Sequence, residues 1–168
     1  HTVTRRQRQM CIRDRGNANV AAVHIEDQIF DKRCGHRPNK QLVSIDEMQD
    51  RLKAALDAKI DDSFFIMART DALASEGIEK AIERCGKYLD VGADGIFFEA
   101  AVSIEEYKEF KNNFSAPLLA NITEFGKTPL FTQKELSDVG VDMVLYPLTA
   151  FRAMSLSCLL YTSPSPRD

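Results

Sequence analysis

The sequence has no cysteine pair, no membrane-length apolar run and almost no net charge, and each absence removes a class of function. The four cysteines, at 11, 34, 85 and 158, form no Cys-x-x-Cys and no zinc spacing. That pattern fits independent thiols in a reducing compartment, not a disulfide frame or a zinc ribbon. No stretch approaches the ~18 apolar residues of a membrane span, and no signal-peptide pattern opens the chain. The cytoplasm is therefore the expected location. A net charge of −3 gives no electrostatic footprint for nucleic acid or for an acidic membrane, so neither is expected as a partner. What is present, 168 residues of which 44% are hydrophobic and 28% charged, suffices for one domain with a sizeable core.

Both ends differ from the middle. Residues 1–16 carry five arginines, Arg5, Arg6, Arg8, Arg13 and Arg15, without an apolar period, so disorder is expected there. Residues 155–168 break off a helical pattern and finish in Thr162-Ser163-Pro164-Ser165-Pro166-Arg167-Asp168. Stretches in both tails resemble translated adapter sequence, and the chain begins with His1. The expected organisation is a domain at 17–154, cut at both ends, between non-native tails at 1–16 and 155–168.

Five short apolar segments, at 20–25, 64–68, 95–98, 117–122 and 143–146, each precede a helix-like stretch. Strands alternating with helices predict a parallel α/β sheet. Capping boxes at Ser44-x-x-Glu47, Ser103-x-x-Glu106 and Thr132-x-x-Glu135 mark helix starts. Apolar staples accompany them: Val43 with Met48, Val102 with Tyr107, and Phe131 with Leu136. Another helix carries a stripe at Ile78, Ala81, Ile82, Cys85, Tyr88 and Leu89, which makes Cys85 a core residue. Asp90-Val91-Gly92-Ala93-Asp94 and Asp138-Val139-Gly140-Val141-Asp142 precede two of the strands, and each glycine supplies a left-handed residue that ends a helix. Repeated units of this kind predict a (β/α)8 TIM-type barrel, here incomplete with about five βα units, with a doubly wound sheet as second choice.

Chemistry-bearing residues collect at the strand ends. His24, Glu26 and Asp27 end the first strand, Arg69, Thr70 and Asp71 the second, Glu99 the third, and Asn121, Thr123 and Glu124 the fourth. In a barrel that rim is the active-site face. Lys32-Arg33-Cys34-Gly35-His36 follows the first strand, and a thiol among cations is set to ionise and react; the alternative for Cys34 is a buried spectator thiol. Arg69 and Arg152 can grip carboxylates bidentately, and Asn121 and Thr123 can orient their oxygens, which implies an anionic substrate with more than one carboxylate. Glu26 and Glu99, with Asp27 nearby, are hard oxygen ligands suited to Mg²⁺. Asp71 either acts in the site or has a structural role, pairing with Arg69 or capping the next segment. His24, on an apolar strand, is expected to be a core histidine.

The segments His24-Ile25-Glu26-Asp27-Gln28, Lys32-Arg33-Cys34-Gly35-His36-Arg37-Pro38-Asn39-Lys40, Ile66-Met67-Ala68-Arg69-Thr70-Asp71-Ala72, Leu119-Ala120-Asn121-Ile122-Thr123-Glu124-Phe125-Gly126 and Thr149-Ala150-Phe151-Arg152-Ala153-Met154 resemble the 2-methylisocitrate lyase branch of the isocitrate lyase and phosphoenolpyruvate mutase superfamily. The resemblance implies a barrel enzyme, a homotetramer, that cleaves a small tricarboxylate, 2-methylisocitrate, to pyruvate and succinate by Mg²⁺-assisted retro-aldol chemistry in propionate breakdown. It further implies that Cys34 protonates the succinate carbanion. Gly35, His36, Asn121, Thr123 and Arg152 would hold the succinyl carboxylates, Arg69 and Glu99 would face the pyruvate half, and Glu26 would belong to the metal's surroundings. The family's barrel starts with three further βα units that carry the main metal aspartates. Alternatives are isocitrate lyase, a related lyase of 2-oxo acid derivatives, and an inactive fragment.

Overall fold

The computed structural model describes residues 4–162. The elements run α1 (Arg5–Asn17), β1 (Ala22–Glu26), α2 (Ile45–Leu56), β2 (Phe65–Thr70), α3 (Leu73–Glu76), α4 (Ile78–Asp90), β3 (Gly95–Phe98), α5 (Ile104–Asn113), β4 (Leu118–Asn121), α6 (Gln133–Asp138), β5 (Met143–Leu145) and α7 (Thr149–Thr162). His1 and the Ser/Pro run at 163–168 lie outside the described residues. The strands form one parallel sheet in the order β1-β2-β3-β4-β5. Sequential order without reversal is barrel order, so the doubly wound alternative falls. Among the described residues β1 and β5 each pair on one side only, and the sheet is an open arc.

One face of the arc is packed. Ile66, Ala68, Ile96, Phe98, Leu118, Ala120 and Ile122 point outward onto helix residues such as Met48, Leu52, Cys85, Tyr107, Phe110 and Leu136. Each large side chain so buried contributes ~1.5–3 kcal/mol. Cys85 is fully buried on the α4 stripe, as its spacing requires. The boxes at α5 and α6 form in full, while at α2 Ser44 accepts from the Glu47 amide at 3.1 Å. Val43 and Met48 are both buried, but Val102 stays 52% exposed. Its N–H donates to Glu106 at 2.6 Å instead, so a polar contact and no apolar staple opens α5.

The Asp-Val-Gly-x-Asp repeats do more than end helices. Gly92 and Gly140 have φ of 104° and 87°, a conformation that glycine adopts without strain. The closing aspartates then bind the preceding strand twice. The Asp94 carboxylate accepts the Ile66 N–H at 2.7 Å and Lys59 Nζ at 3.1 Å, and the Asp94 N–H donates to the Ile66 carbonyl at 2.8 Å. Asp142 repeats this with the Leu118 N–H at 2.8 Å, Lys111 at 3.0 Å and the Leu118 carbonyl at 3.0 Å. These clamps sit at the amino end of the sheet.

Three sequence expectations need correction. Residues 5–17 are not disordered: Thr4 and Gln7 form a capping box, Arg5 pairs with Asp57 at 2.6 Å, and Ile12 is buried. One apolar anchor and a cap suffice where a docking helix stands ready, and no apolar period was needed. The helical pattern does not break off at 155, since α7 runs on to Thr162, although it buries no residue. His24 is no core residue. Strand alternation places it with Glu26 on the concave face, exposed, with its ring edge to Phe97 at 5.2 Å. Partial desolvation there, then the Arg69 charge, hold its pKa below the ordinary histidine value.

Candidate active site

At the carboxyl ends of the strands a cleft of about 370 Å³ opens between the β1–α2 loop, the sheet and the start of α7. Cys34, Gly35, His36, Arg69, Glu99, Asn121, Thr123 and Arg152 all line it. They come from different strand ends, and the fold brings all of these expected catalytic and substrate-binding residues to one place. Cys34 is exposed, which removes the buried-spectator reading.

Glu99 is the hub. Its carboxylate is 2% exposed and faces Arg69 Nη2 at 3.4 Å and His36 Nε2 at 3.4 Å, and it accepts from Asn121 Nδ2 at 3.2 Å. Gly35 lies directly against it: a Cβ there would sit 2.5 Å from Glu99 Cγ and 2.7 Å from Cδ. Only glycine lets the Cys34 loop approach so closely. His36 Nδ1 accepts the Lys127 N–H at 3.0 Å, which puts the ring proton of a neutral imidazole on Nε2, toward Glu99.

Arg69 is anchored on several sides. It donates to Asp71 at 2.9 and 3.3 Å, lies 3.5 Å from Glu26, and covers the Phe97 ring at 4.8 Å. The Asp71 alternatives resolve in favour of pairing with Arg69. Burial pushes the Asp71 carboxyl up, and Arg69 and then Lys40 outweigh it, so its pKa lies below the ordinary range. Asp27 points the other way, into the packed layer. It accepts from Thr70 Oγ at 2.7 Å, the Asp71 N–H at 2.9 Å and Tyr88 OH at 3.0 Å. Burial raises its pKa against those bonds. Asp27 is thus a structural hub and not a neighbour of a metal.

Glu26 lies beside the cleft, in a neighbouring hollow with Lys32, which it meets at 2.9 Å. Its carboxylate faces cations, Lys32 and Arg69, and not other carboxylates. Among the described residues no group of three or more His, Cys, Asp or Glu side chains is set to hold a metal ion. These residues therefore do not make a metal centre by themselves. Arg152 uses Nη1 on Glu124, at 2.5 Å to the carbonyl and 3.0 Å to the carboxylate, and stacks over Phe125 at 4.9 Å. Its Nε and Nη2 carry no hydrogen bond among the described residues.

Three buried polar atoms in the cleft have no partner among the described residues: His36 Nε2, Asn121 Oδ1 and Thr123 Oγ1. A buried polar atom without a partner costs ~1–3 kcal/mol, a cost that a polar ligand removes. Three supports of this site had no role assigned in the sequence, although Glu124 stood among the strand-end residues. Lys40 holds the Cys34 loop from below, Gln28 Nε2 and Oε1 bond the Arg33 backbone at 2.9 and 2.8 Å, and Glu124 holds Arg152. Only their nearness to strand ends and to the cysteine loop could have signalled them.

Comparison with known proteins shows the family of the chain. The family model for phosphoenolpyruvate phosphomutase matches residues 4–160. The 2-methylisocitrate lyase of Shewanella oneidensis is 58% identical over 140 residues, covering 83% of this chain and 48% of that protein. That of Salmonella typhimurium is 58% identical over 138 residues, 82% and 47% of the two chains. The chain thus spans about half the length of the curated relatives it matches. Among solved structures, an oxaloacetate acetylhydrolase in complex with 3,3-difluorooxalacetate superposes with a TM-score of 0.87 at 33% identity, covering 95% of this chain and 56% of that one. A 2,3-dimethylmalate lyase superposes at 0.83 and 32% identity, again over 95% and 56%.

Proposed function

The chain belongs to the phosphoenolpyruvate phosphomutase family, and on that premise we propose that it forms the Cys34 half of a lyase that cleaves 2-methylisocitrate to pyruvate and succinate. The observation that carries this reading is one cleft lined by an exposed thiol, three arginines (Arg33, Arg69 and Arg152) and three buried polar atoms without a hydrogen bond. Carboxylate oxygens suit the Thr123 hydroxyl and the free N–H groups of Arg152, and His36 Nε2–H offers a further donor. In the retro-aldol step the bond between the carbinol carbon and its neighbour breaks, the alcohol passes its proton to water and becomes the pyruvate carbonyl, and the electron pair stays on the succinyl carbon. Cys34 gives that carbon its proton, a general-acid role. Arg69 and Glu99 border the pyruvate half as a fixed pair.

Mg²⁺ belongs to this proposal only through Glu26, and no step is assigned to it. A homotetramer in the cytoplasm is likewise proposed, on the resemblance in sequence motifs alone; no helix among the described residues is long and apolar enough to cross a membrane. The test is release of pyruvate by the protein carrying this chain, measured on 2-methylisocitrate, isocitrate, oxaloacetate and 2,3-dimethylmalate. The expected result is turnover of 2-methylisocitrate above the others, with Cys34→Ser lowering kcat at least ~100-fold. Preference for another substrate, or near wild-type turnover by the serine variant, would overturn the assignment.

A further inference from the structure

The loop that carries Cys34 follows β1 and is pinched at its base by an isolated antiparallel bridge between Gln28 and Leu42. Its residues are mostly exposed, yet the Lys40 side chain is 2% exposed and its partner Asp71 is 0% exposed. Lysine is almost never so buried unless it is paired, and a buried ion pair is weak evidence of a gain in stability over an apolar pair. Lys40 Nζ donates to the Gly35 carbonyl at 2.6 Å and lies 3.3 Å from Asp71 Oδ1. Asp71 is itself immobilised by Arg69 and by its N–H bond to Asp27. The left-handed Asn39, with φ of 61°, turns the chain just before Lys40.

We propose that Lys40 and Asp71 are positioning residues that latch the Cys34-Gly35-His36 turn onto Glu99. The ammonium ties the carbonyl of the residue after the thiol to a carboxylate that also fixes Arg69. One buried pair therefore sets the distance between the two sides of the cleft, the loop with its proton donor and the strand ends. The role in turnover rests on the lyase reading above; the latch itself does not.

Lys40→Met, which keeps the length and removes the charge, separates the two. Thermal melting checks that the variant folds. Trypsin cleavage after Lys32 and Arg33 and amide exchange at 34–36 then read the loop directly. The expected result is an increase of ~10-fold or more in both. In the pyruvate assay kcat falls ~10- to 100-fold and KM for 2-methylisocitrate rises with it, because the displaced turn carries the proton donor together with Gly35 and His36. If Lys40→Met does not fold, Asp71→Asn gives the same readings, with smaller loop opening because the Lys40 bond to the Gly35 carbonyl survives. Unchanged cleavage and exchange in a folded variant overturn the latch, and loop opening with unchanged kcat overturns its positioning role. A wild-type protein that releases no pyruvate overturns the lyase reading, and the loop measurements still decide the latch.

Discussion

The two ends of the sheet use the same residue types to opposite effect. At the amino end Asp94 and Asp142 each take a strand N–H and a lysine, so their carboxylates are tied up in holding the fold. At the carboxyl end Asn121, Thr123 and His36 bury polar atoms that accept or donate no hydrogen bond among the described residues, although His36 Nε2 faces Glu99 at 3.4 Å. Charge and position within a βα unit do not separate the two sets; unmet hydrogen-bonding capacity does. A saturated carboxylate reads as structure and an unsaturated buried polar atom as a place for a ligand.

The largest effect is expected from Gly35→Ala. The added methyl would collide with Glu99 and displace the cysteine loop, and a displacement of ~1 Å can cost ~100-fold in function. Calorimetry with succinate, the dicarboxylate half of the proposed substrate, should show that loss of binding, and retained affinity would mean that the loop does not shape the cleft. Asp142→Ala, at the other end, should cost about 1–2 kcal/mol by orphaning the Leu118 N–H. It should leave succinate binding alone, and a weakened affinity would blur the distinction between the ends. Thr123→Val is the sharpest contrast. Removing an unpartnered hydroxyl should leave stability unchanged or raise it by up to about 1 kcal/mol while weakening succinate ~10-fold. Denaturant melts that find it clearly destabilised would mean that the hydroxyl has a structural partner.

The smallest effect concerns Asp27, which sits at the carboxyl end but is saturated. Because burial raises its folded pKa, the folded state holds its proton more tightly than the unfolded chain. Its contribution therefore falls as pH rises from the unfolded value of ~3.9 through the raised folded one. Asp71 has the opposite sign, since its pKa is depressed, and its contribution is lost on acidification through the folded value. Asp27→Asn should remove the loss of stability on the alkaline side of that window and leave the acid limb intact. Melts across a pH series that keep the wild-type slope would move the raised pKa to another group.

Much of this contrast was legible in the sequence. The β3 bounds match the expected 95–98, because a short buried apolar run ends where Glu99 begins. β2 runs on to Thr70 since its partners continue, Arg69 opposite Glu26 and Thr70 opposite Phe98; a polar residue inside a strand hid that extension. His24 misled because an apolar strand does not say which face is covered. The cleft residues could be named, but Lys40, Gln28 and Glu124 could not be assigned, because their partners are fixed by tertiary geometry. Asp27 and Glu26 are adjacent in sequence, and only the pleat sends one to the core and the other toward the cleft.

The amino-end clamps also bear on how the chain folds. The Ile66–Asp94 and Leu118–Asp142 bonds span only 28 and 24 residues, so β3 and β5 can each find register from the preceding strand alone. Closing loops of that length is fast and its entropic cost grows slowly with size. A parallel sheet, ordinarily a slow topology, is thereby divided into short sequential steps. The two repeats are short-range rulers for the β2–β3 and β4–β5 registers, independent of anything bound at the polar carboxyl end.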